Sequence, residues 1–346
     1  MRPSVLETSD SRLRKIVGSF LILIIGSYIF LSYWDYSKSF YQNPNEWKDF
    51  ILGHATAPAQ YRIGVVFPAH FLSRLSHGHF AMRHTLSLLD LFFLTIGIVA
   101  IFSLISRMQV YRKSLFVEKC MMQLIAVSLL LFYLSWTLWY HKPETIANFG
   151  SLAVAVGFTA GLYRTPKLLS AFGLILIALY LGTIRADSGF AFNLGLLIVA
   201  LLPEGKNLHL GRVLQICTAI IGLAAVIGAE AYIKYVLYPH NPFSDSLIQL
   251  GTNLISPINL FCVIFALAPY FLIVWLATKS WKNLEVWESV LVIASCIEFV
   301  LFFVVARSDE VRLFIPYAMA LLPTSAVLIN RSLLNKHSVE RNISQA

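Results

Sequence analysis

Residues 16–34 read Ile-Val-Gly-Ser-Phe-Leu-Ile-Leu-Ile-Ile-Gly-Ser-Tyr-Ile-Phe-Leu-Ser-Tyr-Trp, 19 positions without a charge, with Arg12, Arg14 and Lys15 just before them and Asp35 just after. A bilayer hydrocarbon core of about 30 Å takes about 20 apolar residues in a helix. The run is too long for the core of a signal peptide, and no small-x-small cleavage site with a polar start follows it. It reads as a retained transmembrane helix.

The same pattern recurs along the chain. Apolar runs separated by charge clusters predict further helices near 85–106, 119–139, 147–163, 168–184, 188–203, 212–237, 254–278, 286–306 and 311–330. Three of them, 147–163, 168–184 and 188–203, are short for a perpendicular crossing, so a re-entrant pair is the alternative there. Over all 346 residues, 58% are apolar and 13% charged, against about 45–50% and 25% in soluble domains. A water-soluble globule is excluded. The expected fold class is all-α, a polytopic transmembrane bundle of about ten helices forming a single integral-membrane domain over 1–346. Cys120, Cys217, Cys262 and Cys296 all lie in apolar runs and behave as small hydrophobes.

The net charge of +9 is first a topology signal. Basic residues flanking membrane helices are retained on the cytoplasmic side. With the N-terminus inside, 17 of the 27 Lys and Arg fall on inner loops and tails, leaving ten for the outer face. Both termini, including a 331–346 tail, are then cytoplasmic, which suits a bacterial inner membrane. The long 35–84 segment and the turns at 185–188 and 307–311 lie outside. No nucleic-acid surface is implied.

The outer segments hold the chemistry. The 35–84 loop contains enough Trp, Phe, Ile and Val to fold, and after Pro68 the stretch Ala-His-Phe-Leu-Ser-Arg-Leu predicts an interfacial helix with Phe71, Leu72 and Leu75 opposite Arg74. Asp35, placed at the end of the first helix, is a candidate general base, because a carboxylate at the membrane boundary has its basicity tuned by a mixed dielectric. Glu46 and Asp49 are further candidate carboxylates in this loop. Arg62, after Tyr61, offers a planar fork suited to phosphate or serves as an interfacial anchor. The turns Arg185-Ala186-Asp187 and Arg307-Ser308-Asp309-Glu310-Val311-Arg312 place charges against membrane helices, either as local salt bridges or as binding groups for an anionic headgroup.

Asp90, Glu230 and Glu298 fall inside predicted helices, and intramembrane acids are costly to bury. Asp90 and Glu230 lie toward the outer end. Glu298 sits nearer mid-membrane with no basic partner evident in sequence, so a neutral, hydrogen-bonded role is expected. His70, His77, His79 and His84 cluster outside, but their spacing completes no known ligand pattern, and no metal is expected.

Taken together, a carboxylate after the first helix, Tyr61-Arg62-Ile63-Gly64-Val65-Val66-Phe67-Pro68 in the long loop, Arg185-Ala186-Asp187-Ser188-Gly189-Phe190, and Glu310-Val311-Arg312-Leu313-Phe314-Ile315-Pro316 resemble the bacterial polytopic glycosyltransferases of the GT-C superfamily. The chain departs from them in having Ala186-Asp187 where Glu-Thr is usual and in lacking an acidic pair after the first helix. The resemblance implies transfer of a sugar from a polyprenyl-phosphate donor to an extracytoplasmic glycan or lipid acceptor, in contact with membrane lipids and without a cofactor. It implies Asp35 as general base, Arg62, Arg185 or Arg312 holding the phosphate beside Tyr61, and Glu310 and Asp187 orienting those arginines. A polytopic transporter or lipid-linked glycan flippase is the alternative. No convincing internal repeat of the transporter kind is present.

Overall fold

The computed structural model describes residues 3–42, 46–55, 61–77, 79–139, 141–165, 167–202, 209–240, 248–307 and 310–344. All regular elements among them are helical: α1 (Pro3–Gln42), α2 (Glu46–Leu52), α3 (Ile63–Leu75), α4 (Met82–Arg107), α5 (Gln109–Lys113), α6 (Phe116–Trp139), α7 (Pro143–Arg164), α8 (Leu168–Ile184), α9 (Ala186–Leu201), α10 (His209–Tyr232), α11 (Leu250–Ile255), α12 (Pro257–Lys279), α13 (Val286–Val305), α14 (Ile315–Ala320) and α15 (Leu322–Ser344). Seven helices among the described residues have the length and apolarity to cross a membrane: α1, α4, α6, α7, α10, α12 and α13. The chain is an integral membrane protein. With 17 and 16 residues, α8 and α9 reach about 26 and 24 Å at 1.5 Å per residue.

The most enclosed of the seven spans is α7, which packs against α3, α4, α8, α13 and α14. Small side chains let it sit there. A Cβ on Gly150 would lie 2.6 Å from the Phe93 carbonyl oxygen of α4, so that contact is backbone to side-chain-free backbone, the usual way membrane helices approach closely. Likewise Gly182 and Gly189 of α8 and α9 abut Val226 of α10. Every residue of α14 is buried. Pro323 lacks the N–H that would continue the ladder to Met319, and the helix breaks between α14 and α15.

Several boundaries differ from the sequence expectation. α1 continues to Gln42, so Asp35 lies within the helix and not beyond its end. The reason is a buried stripe, Ile24, Tyr28, Ser32 and Tyr36, at strict four-residue spacing, which keeps helical periodicity going past the apolar run. α3 begins at Ile63 and carries Pro68 inside it rather than starting after it. Pro68 cannot donate to the Gly64 carbonyl, and the Tyr180 hydroxyl of α8 donates to that oxygen instead at 3.1 Å. As expected, Phe71, Leu72 and Leu75 form an exposed apolar face. At the C-terminus, helix α15 runs through the expected tail as far as Ser344.

Candidate functional site

Each arginine of the site is placed by a local device. Arg62 precedes α3, and α3 is drawn against the end of α8 at Gly64, where a Cβ would collide with Thr183 Oγ1. Arg185 is the single residue joining α8 to α9. Arg312 lies in a short 3-10 turn, Val311–Leu313, between α13 and α14. The approach to that turn is fixed by Asn253 of α11, whose side-chain amide donates to the Phe303 and Ala306 carbonyls at 2.7 Å each, satisfying acceptors that a helix C-terminus leaves without partners.

These three arginines converge. Glu144, the second residue of α7, forms an ion pair with Arg62 through Oε1, and Arg312 Nη1 approaches the same oxygen at 3.6 Å. Pro143 starts α7 with its preset φ and leaves no N–H unpaired, and the helix N-terminus adds positive potential under the carboxylate. Arg312 also pairs with Glu310 at 3.2 Å. Arg185 grips both oxygens of Asp187, through Nε at 2.8 Å and through Nη2. The other side of Arg185 faces Glu298 of α13, with Nη2 at 3.5 Å from Oε1. The two groups share one field, since Glu144 acts on Arg185 and Arg62 acts on Asp187.

Among the described residues the site therefore holds three arginines and four carboxylates. Arg312 and Glu298 have side-chain exposures of 3% and 0%, whereas Arg62 is 21% and Asp187 40% exposed. One edge thus opens outward through Arg62 and Asp187. Arg62 spends only Nη1 on Glu144, and a guanidinium has five donors. Burial alone disfavours the Arg185 charge, but Asp187 and then Glu298 outweigh it, and its pKa lies above that of an ordinary arginine.

Below Arg185 the polar network continues. Ser188 Oγ donates to Glu298 Oε1 at 2.8 Å and accepts from Asn148 Nδ2 at 2.9 Å, while Tyr317 donates to the Ser188 carbonyl at 2.6 Å. The sequence makes no basic partner of Glu298 evident, and the structure supplies one. Its partner is Arg185, supplied across the α9–α13 contact, which no local sequence pattern specifies.

A second buried network lies on the α1 side. Asp90 Oδ2 accepts from Ser32 at 2.5 Å and from Tyr36 at 3.0 Å, and His141 Nε2 is 3.1 Å from it. Tyr28 bonds both Thr137, at 3.0 Å, and His141 Nδ1, at 3.3 Å. This network ties α1 to α4 and to the α6–α7 connection three residues before Glu144.

Of the residues expected from sequence, Arg62, Arg185, Asp187, Glu310 and Arg312 are brought together, with half-buried Tyr61 next to Arg62. Asp35 is half-buried on α1, turned about 100° from Tyr36, and no contact joins it to the arginines among the described residues. Asp49 is exposed, and the Glu46 side chain lies outside the described residues. His77 and His79 are exposed, and among the described residues no cluster of His, Cys, Asp and Glu is arranged to hold a metal. Glu144 and His141 were not anticipated. The sequence signal for them is His141-Lys142-Pro143-Glu144, a Pro and an acid in a first helical turn just upstream of the apolar run that begins at 147.

The fold and site define an α-helical membrane protein with a buried arginine–carboxylate cluster at one end of its bundle. No family model, curated protein or solved structure matches the chain.

Proposed function

We propose that the protein is a membrane glycosyltransferase that takes a sugar from a polyprenyl-phosphate donor and delivers it to an extracytoplasmic acceptor. The observation that carries this reading is the pairing of Arg62 and Arg312 on Glu144 beside a second group in which Arg185 bridges Asp187 and Glu298, the two groups acting on each other electrostatically. Buried arginines in a membrane protein are costly and mark sites that handle charge. Their planar forks match phosphate bidentately. The exposed Phe71, Leu72 and Leu75 of α3, on the same short helix that Arg62 precedes, suit a ligand with a lipid tail. The sorting of basic residues supports an orientation with both termini cytoplasmic and the site outside.

In this mechanism the acceptor hydroxyl oxygen attacks the anomeric carbon as a carboxylate takes its proton. The carbon–oxygen bond to phosphate breaks, and its electron pair stays on the phosphate, where the arginines stabilise the charge that develops. The family resemblance alone nominates Asp35 as the base, since among the described residues it has no contact with the arginines. Asp187 is the competing one, because it lies within the cluster and its carboxylate is 40% exposed. Transfer of labelled hexose from polyprenyl phosphate in vesicles separates them. Asp35→Asn is expected to lower the rate at least about a hundredfold, the usual scale of a general base. Full activity in Asp35→Asn with loss in Asp187→Asn assigns the base to Asp187. Lipid-phosphate binding without any transfer favours the flippase reading.

A further inference from the structure

We propose that Asp90 and His141 share one buried proton and that this dyad is the positioning element for Glu144, the carboxylate on which Arg62 and Arg312 meet. The inference rests on the lipid-phosphate reading above and names the residues that hold its clamp in place. Its starting point is a polar network that the proposed transfer does not use. The His141 side chain is 0% and that of Asp90 1% exposed, and Tyr28, Ser32, Tyr36 and Thr137 around them are buried too. Ionisable side chains enclosed in a membrane protein are expensive and pair with one another.

The hydroxyl protons fix the state of the histidine ring. Thr137 donates its one proton to the Leu134 carbonyl at 2.7 Å, so at 3.0 Å from the Tyr28 hydroxyl it is the acceptor and takes the Tyr28 proton. The Tyr28 oxygen then offers only lone pairs to His141 Nδ1 at 3.3 Å, and Nδ1 carries a hydrogen. On the opposite side of the ring, Asp90 Oδ2 receives the protons of Ser32 and Tyr36. Nε2 lies 3.1 Å from that oxygen and 3.1 Å from Ser32 Oγ, whose own proton is on Asp90. In a neutral ring protonated at Nδ1, the Nε2 lone pair would face the lone pairs of an ionised Asp90. One further proton between Nε2 and Oδ2 turns that repulsion into a hydrogen bond. Held on nitrogen it makes an imidazolium–carboxylate pair, and held on oxygen a neutral acid–imidazole pair. Either way the dyad has no net charge, the form least costly to bury.

The dyad adjoins the clamp along the chain and through its field. From His141 the backbone passes through Lys142, extended at φ −140° and ψ 142°, as is favoured before a proline. It then passes through Pro143, whose ring fixes φ, into Glu144. Little torsional freedom separates the anchored imidazole from the carboxylate. Tyr36, which donates to Asp90 and has its ring centroid 4.8 Å from that of His141, also lies in the electrostatic field of Glu144.

The test separates a shared proton from an ordinary hydrogen-bond acceptor. Asp90→Asn keeps an oxygen for Ser32 and Tyr36 but leaves a doubly protonated ring without a counter-charge. Full-length protein in nanodiscs is titrated with polyprenyl phosphate below the melting temperature of each variant. Asp90→Asn and His141→Gln are each expected to weaken binding about tenfold or more, a coupling on the scale of directly contacting groups. The variant carrying both substitutions, in which the glutamine amide donates to the asparagine oxygen with no proton to share, is expected to recover most of the loss. Nitrogen-15 spectra of histidine-labelled protein, with His141→Gln identifying the signal, are expected to show Nδ1 bonded to hydrogen. A bare Nδ1 overturns the shared proton, an Asp90→Asn affinity equal to the parent's overturns the positioning role, and single losses that add up in the double variant overturn the pairing. A parent protein that does not bind polyprenyl phosphate overturns the clamp and the positioning role with it, while the nitrogen-15 signal and the coupling read from melting temperatures still decide the shared proton.

Discussion

Glu144→Leu is expected to lower folding stability by about 3–5 kcal/mol, the usual cost of removing one partner from a buried ion pair. Glu144 Oε1 serves two guanidinium groups at once, Arg62 and Arg312, and the latter is almost fully buried. Deleting the carboxylate leaves like charges facing each other in a low-dielectric region, with Arg185 adding to the repulsion. Leucine fills similar volume, so the loss reports electrostatics and not a cavity. A thermal melt of the purified variant in detergent checks the size. Added inorganic phosphate is expected to restore part of the loss, because an anion bound only by the folded state stabilises it by mass action. A variant as stable as the parent contradicts the role given to Glu144.

Gly195→Val is expected to be the second most damaging change, at about 1–3 kcal/mol for overpacking. A Cβ at Gly195 would lie 2.8 Å from Ala294 Cβ and 2.9 Å from Ala294 N on α13. The obstacle includes backbone, so no rotamer change relieves it, and α9 must move off α13. Ser188 is seven residues before Gly195 and Glu298 four after Ala294, so both lie on this helix–helix seam. Separation there pulls Ser188 from Glu298 and Arg185 from its deep partner. The expected result is a lower melting temperature together with weaker donor binding. Gly157→Ala, where nothing lies within 4 Å, is the matched control and is expected to be neutral or slightly stabilising, since alanine is the better helix former.

The helical, membrane-embedded character was legible in the apolar runs because the bilayer imposes a length on each crossing. The charged turns were legible for the same reason: Arg185, Asp187, Glu310 and Arg312 stand out against apolar neighbours, and their short-range pairing follows from two-residue spacing. What sequence did not reveal depends on contacts between distant elements. The partnership of Arg185 with Glu298 spans 113 residues and that of Arg62 with Glu144 spans 82. Nothing in local periodicity selects those partners. The extension of α1 past Asp35 was hidden because the charge of Asp35 ends the apolar run, although Ser32 and Tyr36 line a buried stripe facing Asp90 and His141. A charge at the end of an apolar run reads as a boundary unless the partners of the buried face beyond it are known.

The arginine cluster as a clamp for lipid-linked phosphate is tested most directly by titrating the purified protein in nanodiscs with polyprenyl phosphate and with the corresponding phosphate-free polyprenol. Binding of the phosphate lipid at least about tenfold tighter than polyprenol, reduced about tenfold or more in Arg62→Ala, is the predicted result, on the scale of one charge-assisted bidentate contact. Equal binding of the two lipids, or an affinity for polyprenyl phosphate unchanged in Arg62→Ala, would contradict it.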